Sequence, residues 1–112
     1  MKYALLIYAD PAGFDDLPED EQQAIHGEYM EIAQAPGMVG GEQLQRPNTA
    51  TTVRVNGSGT LTTDGPFVET KEALGGFYLL EADDLDAAIE IARRIPAARA
   101  GGAVEVRPIV ER

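Results

Sequence analysis

Tyr3-Ala4-Leu5-Leu6-Ile7-Tyr8-Ala9 is an unbroken apolar run that ends at Asp10-Pro11. It is far shorter than the roughly 20 residues that cross a bilayer. No small-residue cleavage site follows it, so it reads as neither an anchor nor a secretory leader. Because the run is continuous rather than alternating, it fits a strand covered on both faces and belongs in the middle of a sheet. A chain that opens with an interior strand must supply partners for both of its edges.

The remaining segments supply them. After a stretch rich in turn residues (Pro11, Gly13, Pro18), Glu19 to Ala35 places Ile25, Tyr29, Ile32 and Ala33 on one helical face. Glu19, Asp20 and Glu21 suit the positive end of the helix dipole, and Pro36-Gly37 stops the helix. Met38 to Leu44 returns as a strand. Its doubled glycine, Gly40-Gly41, predicts a bulge or a close approach by another backbone or a ligand. Thr51–Val55 and Thr60–Thr63 flank Asn56-Gly57-Ser58-Gly59 as a β-hairpin. Gly75 to Ala82 is a further strand. Asp83 or Asp84 then caps a second helix carrying Leu85, Ala88, Ile89 and Ala92 on one face, with Arg93-Arg94 at its end and Pro96 beyond. Residues 97 to 102 connect to a last strand, Ala103 to Val110, with Val104 and Val106 on one side.

This order predicts an α+β fold of ferredoxin-like βαββαβ plan with an inserted β-hairpin, its two helices packed on one face of a mixed sheet. The other face is left bare, and a second copy of the chain is the economical cover.

Charge narrows the partners. With 9 basic and 19 acidic side chains the net charge is −10, a field that repels phosphate backbones and anionic lipid, so neither nucleic acid nor membrane is expected as a partner. No Lys or Arg occurs between Lys2 and Arg46, and that third of the chain carries most of the excess. The expected location is the cytoplasm. With no cysteine there is no thiolate nucleophile and no thiolate metal site, and His26 as the sole histidine rules out a multi-histidine centre. Phosphate-loop and dinucleotide fingerprints are missing, and no cofactor is expected.

Few residues are left to carry chemistry. Ser58, the only serine, lies in the hairpin turn, where its hydroxyl is expected to bond locally rather than join a catalytic triad. His26 sits at the margin of the first helix's apolar stripe. It is either a general acid or base facing a cleft, or a boundary residue solvated by nearby carboxylates. Asp64-Gly65-Pro66-Phe67 reads as a structural turn, or as a turn that aims Asp64 and Glu69-Thr70-Lys71-Glu72 at a pocket floored by Phe67. Asp64, Glu69 and Glu72 could hold a hard cation, yet their spacing matches no compact calcium loop, and no metal is expected. Of the four tyrosines, Tyr8 at the end of the first strand is the one expected to reach a pocket.

Asp64-Gly65-Pro66-Phe67-Val68-Glu69-Thr70-Lys71-Glu72, followed by Leu74-Gly75-Gly76-Phe77-Tyr78, resembles the DGPF subgroup of the YCII-related family. Met1–Tyr8, Gly40-Gly41-Glu42 with Leu44, Arg94-Ile95-Pro96-Ala97-Ala98 and Val104–Pro108 extend the likeness over residues 1–112 as one domain. The resemblance implies a ferredoxin-like protomer that pairs into a dimeric α+β barrel. It also implies small-molecule enzymology, with a histidine on the first helix and an aspartate just after the second. His26 falls where that histidine is expected. The acidic position is occupied by Ile95, which leaves Asp64 or Glu42 to orient the imidazole. Ligand contacts are then expected from Tyr8, Glu42, Phe67, Thr70 and Lys71. Two functions fit: general acid/base chemistry on a small polar or aromatic substrate, or a non-catalytic ligand-sensing module acting as a homodimer.

Overall fold

The computed structural model describes residues 1–112. Strand β1 (Lys2–Ala9) is followed by a one-turn helix α1 (Pro11–Asp15) and a long helix α2 (Glu19–Ile32). Then come β2 (Met38–Gln43), the hairpin strands β3 (Thr51–Asn56) and β4 (Gly59–Asp64), β5 (Ala73–Glu81), α3 (Leu85–Ala92) and β6 (Ala103–Pro108). Short 3-10 turns occupy Pro47–Thr49 and Pro96–Ala98.

Four strands form one sheet in the order β2-β5-β1-β6, while β3 and β4 pair only with each other. Removing the hairpin leaves the ferredoxin-like βαββαβ plan, with β1 in the interior as its continuous apolar run requires. The sheet is not mixed as expected: every adjacent pair is antiparallel. The helical crossovers make β1 parallel to β2 and β5 parallel to β6, but in this strand order neither of those pairs is adjacent.

Strand alternation divides the sheet cleanly. Tyr3, Leu5 and Ile7 of β1, with Tyr78 and Leu80 of β5, point toward the helices and are buried against Ile32 of α2, Ala88 and Ala92 of α3, and Ile95 and Ala97 of the following turn. Val104 and Val106 of β6 pack on the same side. The opposite face carries Ala4 and Leu6 beside Leu79 and Phe77, bordered by Glu42, Glu105 and Arg107, and no element of the chain covers it.

Helix ends follow local chemistry. Asp84 caps α3 by accepting a hydrogen bond from the Ala87 amide at 2.8 Å. Asp10 caps α1, accepting from the Ala12 amide at 3.0 Å, with Pro11 in the first position. This short helix occupies part of the stretch expected to be irregular, and the Asp10-Pro11 pair was its sequence signal. Helix α2 ends at Ile32, three residues before the expected stop, and Ala33 to Ala35 continue as turns.

The glycine pair in β2 has the predicted effect. Val39 is squeezed out of register between Met38 and Gly40. At Gly41 (φ +150°) a Cβ would lie 2.5 Å from the Phe77 carbonyl oxygen and 2.9 Å from the Tyr78 ring, so only glycine lets β2 approach β5 this closely.

Candidate functional site

Closing β2 onto β5 without a side chain at Gly41 leaves a cleft on the helix side of the sheet. Its volume is ≈ 180 Å³, and Ala33, Met38, Gly40, Gly41 and Tyr78 line it. The walls are apolar. The Tyr78 hydroxyl is turned away to donate a hydrogen bond to the Tyr29 carbonyl at 2.8 Å, and burial pushes its pKa up to about 12. Burial likewise raises the Tyr29 phenol. Both tyrosines therefore stay protonated through the physiological range and serve as structure, not as acids.

His26 shares the α2 stripe that reaches this cleft. Positions 26 and 33 are seven residues apart, which at about 3.6 residues per turn superposes them on one face roughly 10 Å apart along the axis. Met30 lies between them, and all three are exposed. The imidazole makes neither an ion pair nor a hydrogen bond to Asp64 or Glu42, so it is free at the approach to the cleft. Its helix is held by its neighbours: Glu28 pairs with Arg99 of the turn after α3.

The other expected site residues fall into two groups. Tyr8 (half-buried) and Glu42 (exposed) lie on the bare face, Tyr8 beside Leu74 and Ala103, Glu42 beside Phe77. Asp64, Phe67, Thr70 and Lys71 lie at the end of β4 and in the segment that leads to β5. Phe67 is 69% exposed, with the Arg54 guanidinium 4.7 Å above its ring. Thr70 donates its hydroxyl to the Glu72 carbonyl. Lys71, expected between two carboxylates, forms no ion pair with either. Within one protomer, then, the expected residues do not converge: His26 belongs to the helix side, Tyr8 and Glu42 to the opposite face, and the DGPF turn lines neither. The turn is set by the hairpin, which carries it off the sheet.

The turn is held from the start of β3 rather than by the Asp64 side chain. The Gly65 amide donates to the Ala50 carbonyl at 2.7 Å, and the Thr52 hydroxyl donates to the Gly65 carbonyl at 2.9 Å. Gly65 takes φ +101°, which its lack of a side chain permits. Ser58 bonds locally as expected, through Asn56 Oδ1 at 3.4 Å. Asp64, Glu69 and Glu72 do not gather into a metal-binding cluster. The position where the resemblance calls for an acid is fully closed, since Ile95 is 0% exposed. The cleft walls that sequence reasoning missed are Ala33, read only as the end of the first helix's apolar face, and Met38, whose only signal was its place just before the glycine pair.

No helix is long and apolar enough to cross a membrane. The family model of the YCII-related domain matches residues 1–112. The chain is also 36% identical to an uncharacterised protein of Rhizobium meliloti (strain 1021) over 118 aligned positions, which cover 97% of this chain and 92% of that protein.

Proposed function

The chain belongs to the YCII-related family, and from that premise we propose that it works as a homodimer that holds a small aromatic or part-polar molecule. The ring of the ligand would enter the cleft over Gly41 and its polar end would meet His26. The observation that carries this reading is the cleft itself. At ≈ 180 Å³ it has room for a single ring, since an apolar cavity of about 150 Å³ accepts benzene. Its walls hold no group able to exchange a proton near neutral pH, which favours binding over chemistry inside it. Pairing through the bare sheet faces covers Leu6, Phe77 and Leu79, and it encloses Tyr8 and Glu42 in a second, more polar hollow. The Asp64-Gly65-Pro66-Phe67 signature supports placing the chain in the DGPF subgroup, with Phe67, Thr70 and Lys71 at the rim of the proposed pair.

The test is the unfolding midpoint against a panel of single-ring metabolites. A ligand at 100 times its dissociation constant adds about 2.7 kcal/mol, or roughly 10 °C for a domain of this length. Ala33→Phe fills the cleft from the exposed residue that follows α2. It should abolish the shift while leaving the ligand-free midpoint near the wild-type value. A shift that survives Ala33→Phe removes the cleft from the reading.

A second reading, acid/base chemistry on the bound molecule, is favoured by the freedom of the His26 ring on the cleft's own helix stripe. His26→Ala should then retain binding and lose turnover. Full turnover in that variant removes the imidazole from the mechanism.

A further inference from the structure

The chain has more surface than a compact protein of its size. Its accessible area is 7861 Å² at 12.0 kDa, against about 6,000 Å² for a compact monomer of that mass. The radius of gyration is 15.8 Å, against about 13 Å expected. The surplus is about 1,900 Å² by that scaling. The bare sheet face cannot account for it: four strands spaced about 4.8 Å apart and about seven residues long project only about 450 Å². A stable pair of chains covers about 800 Å² on each partner.

Five of the 14 exposed large hydrophobic side chains lie on the β3–β4 ribbon and the loop after it. Val53 (59%), Val55 (74%), Leu61 (56%), Phe67 (69%) and Val68 (56%) are all exposed. The ribbon does not fold over its own sheet. The molecule is 19 Å through its thinnest dimension, which one sheet and one helix layer already fill. A two-stranded ribbon is marginal in water on its own. Charge points to what it meets. The ribbon, residues 51–64, holds one cation, Arg54, and one carboxylate, Asp64, and so is neutral in a chain whose net charge is −10. A neutral ribbon is an element that two strongly anionic bodies can bring together without mutual repulsion.

We propose that the β3–β4 ribbon is an arm that closes on a second copy of this chain, packing its Val53 and Val55 face against the partner's body. This rests on the homodimer reading and extends the contact beyond the sheet faces to the area a stable pair requires. The test compares wild type with Val53→Lys/Val55→Lys and with Leu79→Lys by sedimentation equilibrium, using circular dichroism to verify folding. Because both valines are exposed in the single chain, the arm variant should stay folded while its self-association weakens at least 100-fold. A wild-type dimer whose arm variant associates equally well overturns the arm and leaves pairing through the sheet faces standing, which Leu79→Lys then probes. A wild type that stays monomeric overturns both. Hydrogen exchange on unmodified protein gives an answer that needs no variant. Amides 51–64 should be protected in the associated form and lose protection on dilution; fast exchange of these amides in the dimer overturns the proposal.

Discussion

Gly40 and Gly41 are neighbours on one strand, yet alanine at the two positions should act in opposite directions. At Gly41 the backbone sits at φ +150°, a conformation that costs an L residue about 1–3 kcal/mol. The added Cβ would also meet the Phe77 carbonyl oxygen at 2.5 Å and the Tyr78 Cα at 3.0 Å. Both contacts are backbone and cannot rotate away, so strands β2 and β5 must part, an overpacking cost of about 1–3 kcal/mol. The sum is roughly 2–6 kcal/mol, or about 8–24 °C in the unfolding midpoint at this chain length. At Gly40 the new Cβ meets only the flexible Leu79 Cδ1 at 3.5 Å, an ordinary contact. There alanine reduces the freedom of the unfolded chain and is neutral or stabilises by about 0.4–1 kcal/mol. Urea and thermal unfolding of the two variants, side by side at one protein concentration, measure the difference directly. Midpoints for Gly41→Ala and Gly40→Ala that agree within about 0.5 kcal/mol, the ordinary scatter of surface changes, would refute the close approach of β2 to β5 and with it the origin of the cleft.

Three further outcomes follow from single contacts. Ile95→Asp puts the acid of the family pattern back, but at a position that is 0% exposed. It should cost more than about 4 kcal/mol, the range of an unpaired buried charge, and abolish the cooperative unfolding transition at 37 °C. Asp84→Ala removes the cap on the Ala87 amide and should lower stability by about 1 kcal/mol, recovered in part by Asp84→Asn. Alkaline unfolding should carry the signature of Tyr78. Its folded pKa is raised to about 12 above an unfolded value near 10, so its contribution is complete below pH 10 and is lost as pH climbs toward 12. Urea midpoints at pH 9 and pH 11.5 should fall less in Tyr78→Phe than in wild type.

The strands and helices were legible because each is fixed by short-range pattern: the apolar run of β1, the acidic first turn and Pro36-Gly37 stop of α2, the Asp84 cap of α3. The glycine pair was legible for the same reason, since a side chain's absence within a strand is itself a local signal. The site was legible only in pieces. His26, Glu42 and Asp64 were expected around one cleft, but strand alternation sends Glu42 to the face opposite the helices, and the hairpin removes Asp64 from the sheet. The first depends on a pairing between residues far apart in sequence, the Met38–Gly40 register shift against β5, and the second on the hairpin strands joining neither edge of the four-stranded sheet. Without the bulge, and with Met38 still opposite Leu80, Glu42 would have paired with Gly76 and turned toward α2. Sequence periodicity cannot locate such a shift, because the glycines that permit it contribute no hydrophobic signal.

The proposed homodimer would couple folding to assembly in a chain built this way. Its core is ten buried hydrophobic residues on one side of a four-stranded sheet, with no buried polar group to add to it. Fourteen large hydrophobic side chains remain exposed, and those on the ribbon are the only apolar groups available to stabilise a two-stranded element that is marginal by itself. If the homodimer reading holds, part of the free energy that orders the ribbon comes from the second chain. The unfolding midpoint must then rise with protein concentration, as it does for any native state that a partner binds and the unfolded state does not. The same logic separates the two clefts. The one over Gly41 is complete within a single protomer, so occupancy there should be insensitive to dilution. The hollow around Tyr8 and Glu42 belongs to the proposed pair alone, and a ligand held there would be released as that pair dissociates.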